Sequence, residues 1–383
     1  MSRSAARELS NLIEGYGILG EAGHSLRCGM VIPFARAFGD VVSPDGDGTF
    51  AIGYDVRASS PSLAEAASLG LRSGGHHVTH IGACTTPQLE WYVASTGLRG
   101  GLMITGGCAP PQHNGLRLYR QDAVPVAAAE VLSALSIDDL NELFAQACNP
   151  VLHQDHPLQA YAAFLRRRLE PANFIKLCLD VGNGLAGAEF EAVMAHYRQL
   201  RLWRVGFTPD AAFPTRGPDP FAPQARTNVA NCIMANGCHL GAALDADGDR
   251  LAVADERGHA VAPDTLGGVL ALALHEQHGG PLRVLYDPAV RHGVIRTLQR
   301  AGLDLRPQPG SAAAAHAPLH GNNAAFYFNA VGHYAFGDFP GTANALLALI
   351  VLINHLTRSD APLSVQAGAV EPEHVPQQPA KDA

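Results

Sequence analysis

The sequence predicts an α/β protein made of three tandem units with mixed, mostly parallel sheets. Three observations lead there. Short apolar runs of strand character alternate with longer Ala/Leu-rich stretches of helical period. That alternation restarts twice along the chain. The 383 residues also divide naturally into three units of about one hundred residues or slightly more. Strands alternating with helices imply βαβ units.

In the first unit, Phe50–Asp55 reads as a strand running into a loop. Ser62–Gly74 reads as a helix introduced by Pro61, His77–Gly82 as a strand and Pro87–Ser95 as a helix. Gly101–Thr105 is a strand that ends in a loop. The second unit has strand Lys176–Asp180, helix Ala188–Gln199 and a strand near Leu202–Val205. A helix around Asn228–Asn236 then leads to strand Leu240–Leu244. The third has strand Arg283–Asp287, helix Val290–Ala301, strand Ala324–Phe328 and helix Ala343–Leu356. The expected units are therefore 1–150, 151–255 and 256–357, with a disordered tail over 358–383 that ends polar and Pro-rich.

Composition removes several classes of function. Hydrophobic residues make up 47%, enough for a substantial core. With 27 Lys+Arg against 35 Asp+Glu the net charge is -8, so no basic field faces a nucleic acid. The basic run Arg166–Arg168 reads as the solvated end of a helix. The seven cysteines are scattered and include no C-x-x-C, which fits a reducing, cytoplasmic setting and no disulfide framework. No secretory h-region is visible at the start, and the longest apolar run, Ala345–Ile353, is too short for a bilayer. His76, His77, His80, His275 and His278 have no partner in a metal-ligand pattern and read as ordinary histidines.

The most informative segment is Leu244-Asp-Ala-Asp-Gly-Asp-Arg-Leu251. Asp245, Asp247 and Asp249 alternate in one short loop between two apolar strands. Like charges this close call for a cation or a basic partner. Hard oxygen donors suit Mg²⁺, and Arg250 adds a fixed charge suited to phosphate. A plain acidic turn is the bland alternative. An EF-hand fails, because Arg250 stands where that loop needs glycine. A second motif, Gly182-Asn-Gly-Leu-Ala-Gly187, allows a dinucleotide site. No acidic residue closes the following strand, so tight packing of a helix start is the better reading.

Several segments, in order, resemble the α-D-phosphohexomutases. Gly53-Tyr-Asp-Val-Arg57-Ala-Ser is similar to that family's G-x-D-x-R-x-S. Thr105–Arg117 sits where the family has its phosphoserine loop, T-[AG]-S-H-N-P-x-x-x-N-G-x-K. Asp180–Gly184 and Phe213–Pro220 resemble second-domain signatures. Asp245–Arg250 matches the metal loop D-G-D-G-D-R except at Ala246, and Gly332–Phe336 resembles the end of the sugar-recognition loop. The resemblance covers roughly residues 10–357. It implies tandem α/β domains around one cleft, Mg²⁺ on Asp245, Asp247 and Asp249, and a phosphosugar met by Arg250, Arg117, Asn329 and His333.

The same comparison of motifs marks what is missing. The phosphoserine position is Gly107, so no catalytic residue is assigned; Thr105 and Cys108 are the weak substitutes. The family's N-terminal arginine falls at Leu19, and its sugar-gripping Glu and Ser fall at Asn329 and Val331. Gly310–Ala315 replaces a loop that brings a basic residue, and Arg117 replaces a lysine. The fourth domain, with its phosphate loop, is expected to be absent. The expected protein is a catalytically inactive mutase-like protein that keeps a divalent-cation site and has a binding or regulatory role. It would bind phosphosugar weakly in an open cleft, and a homodimer or protein partner would cover the exposed side. The alternatives are an active mutase with a rearranged or partner-completed site, and a nucleotide-binding protein.

Overall fold

The computed structural model describes residues 3–135, 152–195, 197–321 and 323–371. Within them lie three sheets of the expected mixed kind. The first contains β1 (Ile13–Glu14), β2 (Gly17–Glu21), β3 (Thr49–Tyr54), β4 (His77–Ala83), β5 (Gly100–Ile104), β6 (His113–Arg120), β7 (Val124–Pro125) and β8 (Leu152–Gln154). Its order is β1-β2-β6-β5-β3-β4-β8, with β7 beside β6. The pairs made by β3, β4, β5 and β8 among themselves are parallel, and those of β6 with β5 and β2 are antiparallel. Every residue of β5 is buried, as a central parallel strand covered on both faces requires. Helices Cys28–Val42 and Ser60–Ser73 cover one face through Phe34, Phe38 and Leu63. Helix Thr86–Thr96 covers the other through Leu89 and Val93.

The second sheet contains β9 (Ile175–Asp180), β10 (Leu200–Val205), β11 (Leu240–Leu244), β12 (Leu251–Ala254) and β13 (Ala260–Val261), in the order β10-β9-β11-β12-β13. The third contains β14 (Arg283–Tyr286), β15 (Asp304–Pro307), β16 (Phe326–Phe328) and β17 (Tyr334–Phe336), in the order β15-β14-β16-β17. One rule recurs in all three. A parallel strand turns into an antiparallel partner: β5 into β6, β11 into β12, and β16 into β17. The turns lie beyond the carboxyl ends of parallel strands, where α/β sheets bind ligands. They are 105–112, 245–250 and 329–333.

The second and third units share one apolar core. Leu179, Phe190 and Leu244 belong to the same buried cluster as Leu270, Phe326 and Ile350. Helix Ala345–Arg358 is its centre, with every residue from Ala345 to Asn354 buried. The first unit has buried clusters of its own. No single described helix is long and apolar enough to cross a membrane.

Several expectations need correction. The chain after 357 is not all tail: Leu363–Val370 is a helix whose Leu363 and Val370 are buried in the shared core. Residues 372–383 lie outside the described residues. Strand β8 pairs with β4, so the first sheet reaches past the boundary placed at Pro150. Ser311 and the alanines after it start a helix, Ala312–Gly321, where a loop was expected. Helix Cys28–Val42 was unforeseen because Pro33 sits inside it, and an internal proline argues against a helix.

Candidate active-site cleft

The three hairpin turns converge on a cleft of about 530 Å³. The first unit contributes Gly15–Leu19, Thr105–Ala109 and Arg117; the second, Asp249 and Arg250; the third, Ser311–Ala313, His333 and Thr342. Of the expected site residues, Thr105, Gly107, Cys108, Arg117, Asp249, Arg250 and His333 line this cleft, whereas Asp245, Asp247 and Asn329 do not. The Asn329 amide meets His333 Nδ1 at 3.1 Å and accepts the His333 backbone N–H at 3.0 Å. Asn329 therefore positions His333.

Strands β11 and β12 pair up to Leu244 and Leu251, which forces Asp245–Arg250 into a tight turn. Gly248 takes φ +79°, a conformation that disfavours any side chain. The three carboxylates are buried and lie within 4.8 Å of one another. Each has one oxygen tied to protein. Asp245 Oδ1 accepts the N–H groups of Asp249 and Arg250, both at 3.0 Å. Asp247 Oδ2 accepts from Thr86 Oγ1 at 2.8 Å and from Arg117 at 3.0 Å. Asp249 Oδ2 is held by Arg117 as well. The opposite oxygens, Oδ1 of Asp247 and Oδ1 of Asp249, are buried with no hydrogen-bond partner. An orphaned buried polar atom costs about 1–3 kcal/mol, more when charged. His333 Nε2 lies 3.6 Å from Asp249 Oδ1, and donor oxygens of the three carboxylates lie within 4.8 Å of one another, a spacing that fits a cation.

The electrostatics agree. Burial, then Asp249 and Asp247, push the Asp245 carboxyl well above the usual range. Burial also raises Asp247, against the pull of Arg117. Burial works against ionisation of Asp249, yet Arg117 and then His333 hold it well below the usual range. Arg250 donates from Nε to His333 Nε2 at 3.1 Å, and both side chains line the cleft.

Opposite stands the loop 105–110. The Asp55–Arg57 pair fixes it from beneath, both side chains fully buried. The Arg57 guanidinium donates to the carbonyls of Gly107 at 2.6 Å, Ala109 at 2.9 Å and Pro110 at 2.8 Å. Asp55 also accepts from Thr105 Oγ1 at 2.9 Å, and Thr105 Oγ1 in turn accepts the Gly107 N–H at 2.9 Å. Thr105 is thus a brace for the loop. Gly107 adopts φ +53°, and a Cβ there would lie 3.0 Å from Arg117 Nη2. Cys108 donates to Asp245 Oδ2 at 3.5 Å, while burial and Asp245 push its thiol far up. Arg117, expected to meet a phosphosugar, lines the cleft but is engaged by two carboxylates.

Sequence reasoning missed the contacts that hold the units together. Glu90 is buried and accepts from Thr342 N at 3.0 Å and Thr342 Oγ1 at 2.7 Å, joining the first unit to the third. Glu189 is buried and accepts from Thr85 Oγ1 at 2.7 Å, joining the second to the first. Burial raises both carboxyls to about 7. No short-range pattern signals either pair, since the partners are 252 and 104 residues apart. The Gly182–Gly187 motif is structural. A Cβ at Gly182 would strike the Arg216 guanidinium at 2.5 Å, and one at Gly184 would meet the Ala246 carbonyl at 2.9 Å. The Arg216 guanidinium packs directly against the Gly182 backbone.

Comparison with known proteins places this arrangement. Residues 10–135 match the family described as phosphoglucomutase/phosphomannomutase, alpha/beta/alpha domain I, and residues 159–258 match its domain II. A phosphomannomutase of Escherichia coli is 27% identical over 340 residues, covering 85% of this chain and 73% of that protein. The crystal structure of a phosphoglucomutase/phosphomannomutase family protein from Burkholderia thailandensis superposes with a TM-score of 0.81 at 23% identity, covering 94% of this chain and 79% of that one. The N-acetylphosphoglucosamine mutase of Aspergillus fumigatus, solved with GlcNAc-6P and magnesium, superposes with a TM-score of 0.56 at 11% identity, covering 96% and 83%.

Proposed function

Because this chain belongs to the phosphoglucomutase/phosphomannomutase family, the α-D-phosphohexomutases, we propose that it is a phosphosugar-binding protein that has lost the family's phosphoryl relay. Its role is then binding or regulation in hexose-phosphate or polysaccharide-precursor metabolism. This reading is supported by Gly107, which the motif resemblance puts at the phosphoserine position, and by the Arg117 guanidinium 3.0 Å from where its Cβ would be. Covalent catalysis needs an acceptor atom. Neither neighbour supplies one, because the Thr105 hydroxyl braces the loop and the Cys108 thiol keeps its proton.

What remains is a place to hold a phosphorylated ligand. Asp245, Asp247 and Asp249 hold a divalent cation, Mg²⁺ by their oxygen donors, and that ion supplies positive charge to phosphate oxygens. Arg250 and His333 face the same cleft and suit a phosphate or a sugar hydroxyl. The magnesium and GlcNAc-6P bound to the Aspergillus relative support both ligand classes.

The test has two parts. Purified protein is incubated with a hexose 1,6-bisphosphate and weighed intact, then assayed for interconversion of glucose or mannose 1- and 6-phosphates. The expected result is no added phosphoryl mass and no turnover, with a rise in melting temperature on adding Mg²⁺ and hexose phosphate together. A stable phosphate ester on the chain, or measurable turnover, overturns the reading.

A further inference from the structure

Three cysteines that form no sequence motif meet on one face of the second sheet, away from the cleft. Cys178 lies in β9, opposite Gly241 of β11. Helix Pro223–Asn236 packs so closely on that face that a Cβ at Gly241 would strike Val229 and Ile233. Cys232 stands on this helix, and Cys238 follows it after Gly237 turns the chain at φ +59°. Cys178 and Cys238 are buried in the apolar cluster beneath the helix, and Cys232 packs against it from a part-exposed position. The Cys232 side chain is in hydrogen-bond contact with both other thiols. Its sulfur also receives Asn236 Nδ2 from 3.9 Å. The Cys238 thiol points to the Cys232 carbonyl at 4.0 Å, which leaves Cys178 as the better-placed sulfur partner.

We propose that Cys232 and Cys178 are a peroxide-reactive thiol pair that closes a reversible disulfide between helix and strand. The Cys232 sulfur, as its thiolate, attacks one peroxide oxygen; the O–O bond breaks and the other oxygen leaves as water after taking a proton. The Cys178 sulfur then attacks the Cys232 sulfenic acid, the S–O bond breaks, and a second water leaves with the Cys178 proton. Two thiols are oxidised by two electrons and one peroxide is reduced to two waters. Burial pushes the Cys178 thiol far up and the Cys238 thiol up to about 11, so the part-exposed Cys232 is the first to meet the oxidant. The bond ties helix Pro223–Asn236 to β9, whose neighbour β11 runs into the carboxylate loop.

The experiment treats folded full-length protein with hydrogen peroxide, alkylates the remaining thiols, digests with trypsin and weighs the peptides without reduction. Cleavage after Lys176, Arg198, Arg226 and Arg250 puts Cys178 on peptide 177–198 and both Cys232 and Cys238 on peptide 227–250. The expected product is these two peptides joined, two hydrogens lighter than their sum, and separated again by dithiothreitol. Cys232→Ser should abolish the joined pair, and Cys238→Ser should keep it. Cys178→Ala should leave a Cys232 sulfenic acid that dimedone traps. A disulfide inside peptide 227–250 instead overturns the choice of Cys178. A Cys232 that stays fully alkylatable, or that ends as sulfinic acid without a disulfide, overturns the thiol pair altogether. Equal yield of the joined pair from protein unfolded in urea overturns it too, since the fold would then contribute nothing.

Discussion

Two loops face each other across the cleft and have met different fates. The loop 245–250 keeps its three carboxylates buried, each with one oxygen anchored. The loop 105–110 keeps its scaffold, with Asp55, Arg57 and Thr105 all in place, yet presents a bare backbone at Gly107. Scaffold and chemistry are therefore separable. The hydrogen bonds that shape the second loop run to backbone carbonyls and to Thr105, and none of them needs a side chain at 107. A reactive atom can disappear there without disturbing the fold around it.

The sharpest break in that comparison is Arg57→Ala. It strands Asp55 as a buried unpaired charge and frees three carbonyls. The expected loss is about 3–5 kcal/mol in urea unfolding, with Arg57→Lys falling between. If the loop needs no clamp, Arg57→Ala will cost less than a surface substitution. Next comes Asp247→Asn, which removes an inward oxygen of the carboxylate triad. Calorimetry should show divalent-ion affinity reduced by about 100-fold, near 2.7 kcal/mol. Unchanged binding would mean that the two loops do not differ as described.

A third measurement sharpens the view of what holds the loops face to face. Glu90 and Glu189 rise from an ordinary 4.5 to about 7. Between those values the folded state keeps protons that the unfolded state has released. Stability from these groups is therefore greatest at low pH and declines as pH rises through that window, by up to about 1.4 kcal/mol per pH unit for each. Glu90→Gln or Glu189→Gln should flatten the slope of unfolding free energy against pH from 5 to 7. The smallest effect is expected from Gly107→Ser. A side chain at φ +53° costs about 1 kcal/mol, and the Arg117 guanidinium crowds the new group. No phosphoenzyme should form. Labelling of that serine by a bisphosphorylated sugar would show that the lost atom was the only obstacle.

Legibility in the sequence followed contact range. Strand β11 and the carboxylates after it were readable because an apolar run, a tight turn and alternating charge are local signals. The alternation of β3, β4 and β5 with helices was readable for the same reason. Arg57 was visible as part of a motif, but its three carbonyl partners lie 50 to 53 residues on. Glu90 and Glu189 were invisible as functional residues, because only the assembled units explain a buried carboxylate on a helix. The family resemblance implied a loop at Gly310–Ala315, whereas the alanines there pack as helix Ala312–Gly321 against the third sheet.

The apolar core shared by the second and third units has a mechanical meaning. Those two units share one oily core, and the first joins them both through Trp91, which packs on Tyr161 and Phe164, and through the polar latches Glu189 on Thr85 and Glu90 on Thr342. Arg117 of the first unit is neutralised by Asp247 and Asp249 of the second, so the charge balance of the cleft belongs to neither unit alone.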